Sequence, residues 1–115
     1  MRLTVDLPWP PKELTPNFKR RKHWSFSLKP TKAYRSTCHI LALAAGAKRV
    51  SPPFGMMVTF FPPDRRKRDD DGMIGAFKAG RDGVADALGV DDHIFRPTYS
   101  FGDPVPGGKI TVTLA

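Results

Sequence analysis

The chain of 115 residues has room for one domain around one modest core, and its formal net charge of +8 and pI ≈ 10.1 point to an anionic partner, nucleic acid or a charged surface. One cysteine, Cys38, excludes an intramolecular disulfide and cannot by itself supply a structural zinc site, which fits a reducing, cytoplasmic setting. The N-terminus MRLTVDLPWPP lacks the apolar core of a signal peptide, and no stretch approaches the roughly 20 apolar residues of a spanning helix, so neither export by the usual route nor a membrane partner is expected.

Leu3, Val5 and Leu7 alternate with Arg2, Thr4 and Asp6 and predict a strand with one buried face, ended by Pro8, Pro10 and Pro11. Trp9, between prolines, reads first as a plug beneath the strand end and second as a stacking surface for a base. From Lys12 to Pro30 no period of 2 or 3.6 persists, which predicts a long loop. Within it Lys19, Arg20, Arg21 and Lys22 form a basic run followed by His23, Trp24 and Phe26, a mixture suited to phosphate contact and base stacking, or to a solvated loop with an aromatic anchor. Thr31 is placed to cap a helix over about 32–45 that Gly46 stops, with Ala33, Tyr34, Ile40, Leu41, Leu43 and Ala44 as its apolar stripe. Cys38 and His39 fall mid-helix, and both read as structural.

Ser51, Pro52, Pro53 and Gly55 form a connection, after which the run Met56 to Phe61 predicts a central strand covered on both faces. Pro62 and Pro63 end it. A second helix is expected from about Asp71 to Leu88, stopped by Gly89, with Met73, Ile74, Phe77, Val84, Ala85 and Leu88 facing the sheet. Its glycines at 75, 80 and 83 each cost about 1 kcal/mol relative to alanine, which suggests close approach by another backbone. At roughly 100° per residue Asp71, Lys78 and Asp82 share a face. Residues 94–100 and 109–114 read as two last strands joined by a turn. The expected fold is a single α/β domain (α+β mixed) over residues 1–115, in βαβαββ order, with a mixed sheet, a parallel pair and a final antiparallel hairpin.

Residues 63–93 carry the chemistry. Four consecutive cations, Arg65, Arg66, Lys67 and Arg68, stand directly against Asp69, Asp70 and Asp71, and Asp91 and Asp92 close the stretch. Charge is also divided along the chain: residues 1–68 hold 15 Lys/Arg and 3 Asp/Glu, residues 69–115 hold 4 and 8. Clustered aspartates repel phosphate unless a divalent cation sits on them, and Mg²⁺ prefers hard oxygen ligands while keeping several waters. Asp69 and Asp71 can point to one site if Asp69 is extended and Asp71 caps the helix. Either acid of the closing pair is a candidate third ligand.

These residues resemble the RusA-type Holliday junction resolvases, small dimeric endonucleases of phages and prophages. The likeness rests on LPWPP at 7–11, KAYR at 32–35, PDRRKRDDD at 63–71 and DALGVDD at 86–92, in the family's order and nearly end to end. It implies a RusA-like mixed fold and a homodimer that resolves four-way junctions in branched DNA by paired, Mg²⁺-dependent cleavage, Mn²⁺ being a possible substitute. Asp69, Asp71 and Asp92 are the implied metal ligands. Gly72 stands where the family's DxDN motif has Asn, and Gly75 where its functional lysine often lies, so Lys78 is taken as the substitute partner for the oxyanion. Lys19, Arg20, Arg21, Lys22, Arg65, Arg66, Lys67 and Arg68 are the implied DNA contacts. Two rival readings are a non-catalytic basic DNA-binding module, whose acids merely cap and solubilise a helix, and another structure-specific nuclease or an RNase on the same fold.

Overall fold

The computed structural model describes residues 3–49 and 55–115, the Asp92 side chain excepted. Among the described residues four strands form one sheet in the order β1-β4-β2-β3: β1 (Leu3–Pro8), β2 (Met56–Phe61), β3 (Pro97–Phe101) and β4 (Lys109–Leu114). The period-2 patterning sets its register. Val5, Val112 and Val58 lie side by side, flanked by the rows Leu3, Leu114, Met56 and Leu7, Ile110, Phe60, all buried on one face. Thr4, Asp6, Met57, Thr111 and Thr113 occupy the opposite face. The order of elements is βαβαββ as expected, and the radius of gyration, 13.7 Å, matches the about 13 Å of a single compact domain of this length. No helix among the described residues is long and apolar enough to cross a membrane.

Other details differ from the expected fold. The expected loop over 12–30 is built from a 3-10 turn at Lys12–Leu14, helix α1 (Pro16–Arg21) and a second 3-10 turn at Trp24–Ser27. Thr15 caps α1, its Oγ1 accepting from Phe18 N at 3.2 Å with Pro16 behind it, a start signal too short to register as a period. Helix α2 spans Leu28–Ala44, beginning before Thr31 because Pro30 sits in the first turn, where a missing N–H costs nothing. Its buried positions are Tyr34, Cys38 and Ala42, while Ile40 and Leu43 are exposed, so the apolar stripe lies one step round from the expected one.

The β2 strand is interior, but Met57 is half exposed, so one face is covered rather than both. The last two strands form no hairpin. The β3 strand pairs parallel with β2, completing the expected crossover pair, while β4 inserts antiparallel between β1 and β2. Sequence adjacency suggested the hairpin; burial of Ile110, Val112 and Leu114 in the sheet's centre favours the insertion. The connection at 51–54 lies outside the described residues.

The expected long helix is interrupted at Phe77 (φ −86°, ψ −3°), giving α3 (Asp70–Ala76) and α4 (Lys78–Leu88). Gly89 ends α4 in the left-handed region (φ 70°, ψ 33°), as expected of a glycine stop. The close approach suggested by the helix glycines occurs at Gly83, where a Cβ would meet the Arg35 carbonyl oxygen and lie 3.0 Å from both Cys38 Cβ and His39 N. Backbone contact at this point packs α4 tightly on α2. Phe60, fully buried, anchors the end of β2 with edge contacts to Trp9 (6.3 Å) and Phe77 (6.0 Å) and a stacked contact to Phe101 (5.4 Å).

Candidate functional site

The loop leaving β2 is closed by its own charges. Asp64 Oδ1 accepts from Arg66 N at 2.9 Å and from Arg68 Nη1 at 2.9 Å, and Arg68 Nη1 also donates to the Arg66 carbonyl at 3.1 Å. The Arg68 guanidinium, aided by the Arg66 N–H, holds the Asp64 carboxyl below its usual range. Arg68 lies 5.8 Å from the Trp9 ring centroid, so this cation fastens the loop to the end of β1. Trp9 is therefore the plug expected of it, packed on Phe60 with Arg68 over the ring.

After Arg68 the backbone at Asp69 is still extended (φ −79°, ψ 139°), and Asp69 occupies the N-cap position of α3 without making a capping hydrogen bond. Asp70 and Asp71 follow in the first turn. The acids complement the positive end of the helix, worth about 0.3–1 kcal/mol each, but the cap role assigned to Asp71 belongs by position to Asp69.

Asp69 and Asp71 line one cavity of ≈ 630 Å³ together with Arg20 of α1 and Arg66, Lys67 and Arg68 of the loop. Thr15, Asn17 and Gly72 line it as well. Helix α1 forms one wall because Pro16 seats against Gly75 of α3, where a Cβ would lie 2.9 Å from Pro16 Cγ. Thr15 and Asn17 escaped the sequence reading; the T-P-N capping signal marks their turn, and only the fold brings it to the acids.

The remaining expected cations divide among neighbouring clefts. Arg21 and Lys22 line one of ≈ 500 Å³ with Lys12, Phe18 and Arg66, which therefore borders both spaces. Lys19 shares a cleft of ≈ 320 Å³ with Lys78, Arg81 and Tyr99. Arg65 is exposed and lines none of these among the described residues.

Lys78 stands outside the Asp69–Asp71 cavity. The interruption at Phe77 separates it from Asp71, and its Nζ donates to Asp82 Oδ1 at 2.8 Å, one turn along α4. It also borders a cleft of ≈ 200 Å³ with Arg35, Asp82, Asp86 and Asp91. The shared face expected for Asp71, Lys78 and Asp82 thus holds for the last two alone. Asp92 begins the 3-10 turn Asp92–Ile94, and its side chain lies outside the described residues. Among the described residues no group of three His, Cys, Asp or Glu could hold a metal ion. Asp69 and Asp71 supply two carboxylates in one polar cavity, a donor set that suits a magnesium-like ion, which binds through one or two carboxylates plus substrate phosphate.

Polar contacts tie the remaining motifs to this site. The Tyr34 hydroxyl donates to the Pro8 carbonyl at 2.6 Å, and burial pushes its pKa up. Arg35 forms a bidentate pair with Asp86, Nε at 2.7 Å and Nη2 at 2.8 Å, which holds the Asp86 carboxyl below its usual range. Burial pushes the Cys38 thiol up to about 12, consistent with its reading as a small core residue. LPWPP therefore touches both KAYR and PDRRKRDDD, and KAYR touches DALGVDD.

No family model matches the chain. An uncharacterized protein of Xylella fastidiosa (strain Temecula1 / ATCC 700964) is 38% identical over 116 residues, a span covering 96% of this chain and 74% of that protein.

Proposed function

The chain belongs to one family with the Xylella fastidiosa protein, and from the geometry of the acidic cavity we propose that it is a divalent-metal-dependent endodeoxyribonuclease of RusA type. Its substrate in this reading is branched DNA, cut in pairs at a four-way junction by a homodimer in the cytoplasm. The observation that carries the proposal is the meeting of Asp69 and Asp71 with Arg20, Arg66 and Lys67 in one cavity. Carboxylates among phosphate-binding cations are unfavourable for DNA contact unless a cation bridges them to the phosphate. Asp69 also makes no capping hydrogen bond, which weakens the reading of these acids as mere helix caps.

Asp69 and Asp71 would hold Mg²⁺ or Mn²⁺, with Asp92 the third ligand in the family likeness. The ion would supply Lewis acidity and an acidified water at the scissile phosphate. The chain's own part is placement. Arg20 and Lys67 bind phosphates flanking the cut, and Arg66 extends the track toward Arg21 and Lys22. Arg68 positions the loop through Asp64 and Trp9 rather than giving its charge wholly to DNA. Lys78 meets the leaving oxyanion in this scheme only on release from Asp82.

The test incubates purified protein with a labelled four-way junction and a matched linear duplex, each with Mg²⁺ or with chelator. Paired nicks near the junction centre that require metal are expected. Preference for the linear duplex would replace resolvase by another nuclease, and metal-independent binding without cutting would leave a DNA-binding module.

A further inference from the structure

The chemistry of the acidic cavity leaves unused the 3-10 turn Trp24–Ser27, which presents two large aromatic side chains to solvent, Trp24 at 64% and Phe26 at 63% relative exposure. The turn is held in shape by hydrogen bonds of its own. Phe26 N donates to the His23 carbonyl at 3.0 Å, Ser25 N to His23 Nδ1 at 3.2 Å, and the Ser27 hydroxyl to the Trp24 carbonyl at 2.9 Å. The His23 ring lies beside Trp24 with centroids 5.2 Å apart and planes 33° from parallel. A solvated turn has no need of this arrangement, because two exposed aromatic rings forgo the burial that usually stabilises them.

Charge around the turn selects the occupant. Residues 14–63 contain nine Lys/Arg and no Asp or Glu, and the turn lies between Lys19–Lys22 and Lys29. A second copy meeting this surface across a two-fold axis would set cations against cations. A nucleic-acid strand meets them with phosphates. Intact duplex would use the cations but hides the faces of its bases, whereas unpaired bases offer π-faces to aromatic side chains. Arg20 lines the acidic cavity, and the Trp24 Cα, four residues on, lies within about 14 Å of the Arg20 Cα by chain length alone.

We propose that Trp24 and Phe26 form a stacking platform for unpaired bases of a DNA strand whose phosphates are met by Arg21 and Lys22, which share one cleft. The inference rests on the nucleic-acid reading above and adds what duplex contacts lack, a preference for strand opened at a branch next to the cutting site. No base identity is read, since stacking tolerates every base.

The test measures binding of a fluorescein-labelled thymine oligomer and of a matched duplex in chelator, by anisotropy, for wild type, Trp24→Ala, Phe26→Ala and Trp24→Phe. Each alanine variant should bind the oligomer about tenfold more weakly, with duplex binding unchanged and the slope of log affinity against log salt unchanged, since no cation is removed. Trp24→Phe should recover most of the loss. Equal weakening on duplex and oligomer, or none on either, overturns the platform. A fall in molar mass of Trp24→Ala by light scattering would overturn it in favour of an interface between copies. Wild type that never nicks DNA, yet binds the oligomer in a Trp24-dependent way, sinks the nuclease reading alone. Nicking by wild type combined with undiminished oligomer binding by Trp24→Ala sinks the platform alone.

Discussion

Replacing Gly83 by alanine sets two effects of opposite sign against each other. In an open helix the change would stabilise by about 1 kcal/mol through helix propensity. At Gly83 the added methyl meets the Arg35 carbonyl oxygen and stands 3.0 Å from Cys38 Cβ and His39 N, atoms of α2 that cannot rotate away. The two helices must part, and overpacking of this kind costs typically about 1–3 kcal/mol or more. Parting them also stretches the Arg35–Asp86 pair across the same interface, an exposed pair worth about 0.2–1 kcal/mol. The sum favours a net loss near 2 kcal/mol out of a total on the order of 10. In urea, followed by far-ultraviolet circular dichroism, the midpoint should fall by about 1 M. Gly72→Ala is the matched control: its Cβ would find Asp69 Cβ at 3.8 Å, an ordinary contact, and the midpoint should hold or rise. A Gly83→Ala midpoint at or above wild type would refute the claim that backbone contact fixes α4 on α2.

Three further outcomes follow from the described contacts. Cys38, buried with its thiol pushed up to about 12, should react with a disulfide reagent at pH 8 only as fast as the protein unfolds; burst labelling of the native protein would contradict its place in the core. The lowered Asp86 pKa means that the Arg35 pair's contribution is fully present above the ordinary aspartate pKa of about 3.9 and fades as pH falls through the lowered folded value. Asp86→Asn should therefore cost about 0.2–1 kcal/mol at pH 7 and nothing at the acid end of a pH series of urea melts, and a pH-independent cost would point to packing instead. For Lys78→Ala, loss of turnover with DNA affinity retained would give Lys78 an oxyanion role, whereas full turnover would confine it to its ion pair with Asp82.

Much of the fold could be read from the chain because one buried face writes itself into the strands. Alternation at Leu3, Val5, Leu7 and at Ile110, Val112, Leu114 marks the right inward residues, and Gly83 and Gly89 mark a helix contact and a helix stop. What escaped was non-local or too short to have a period. Phe77 breaks a helix whose apolar spacing runs through it uninterrupted, and β4 inserts between two strands that are distant in sequence. The 12–30 segment hid α1 because a helix of 6 residues shows less than two turns of pattern, leaving only Thr15 and Pro16 as its signature. At the site, the run Arg65–Asp71 named the acids and most of the cations that line the cavity. Arg20 joined them through the packing of Pro16 on Gly75, a contact no spacing rule contains. Lys78 was misaligned with Asp71 by the break at Phe77.

The central claim is that Asp69 and Asp71 serve chemistry rather than DNA affinity or folding. The direct measurement follows a labelled four-way junction with wild type and Asp71→Asn, scoring binding in chelator and cleavage after adding Mg²⁺. Binding by Asp71→Asn in chelator should be at least as tight as that of wild type, since a carboxylate among the cations is removed, with metal-dependent paired nicks by wild type and none by Asp71→Asn. Cleavage by Asp71→Asn at the wild-type rate would contradict it.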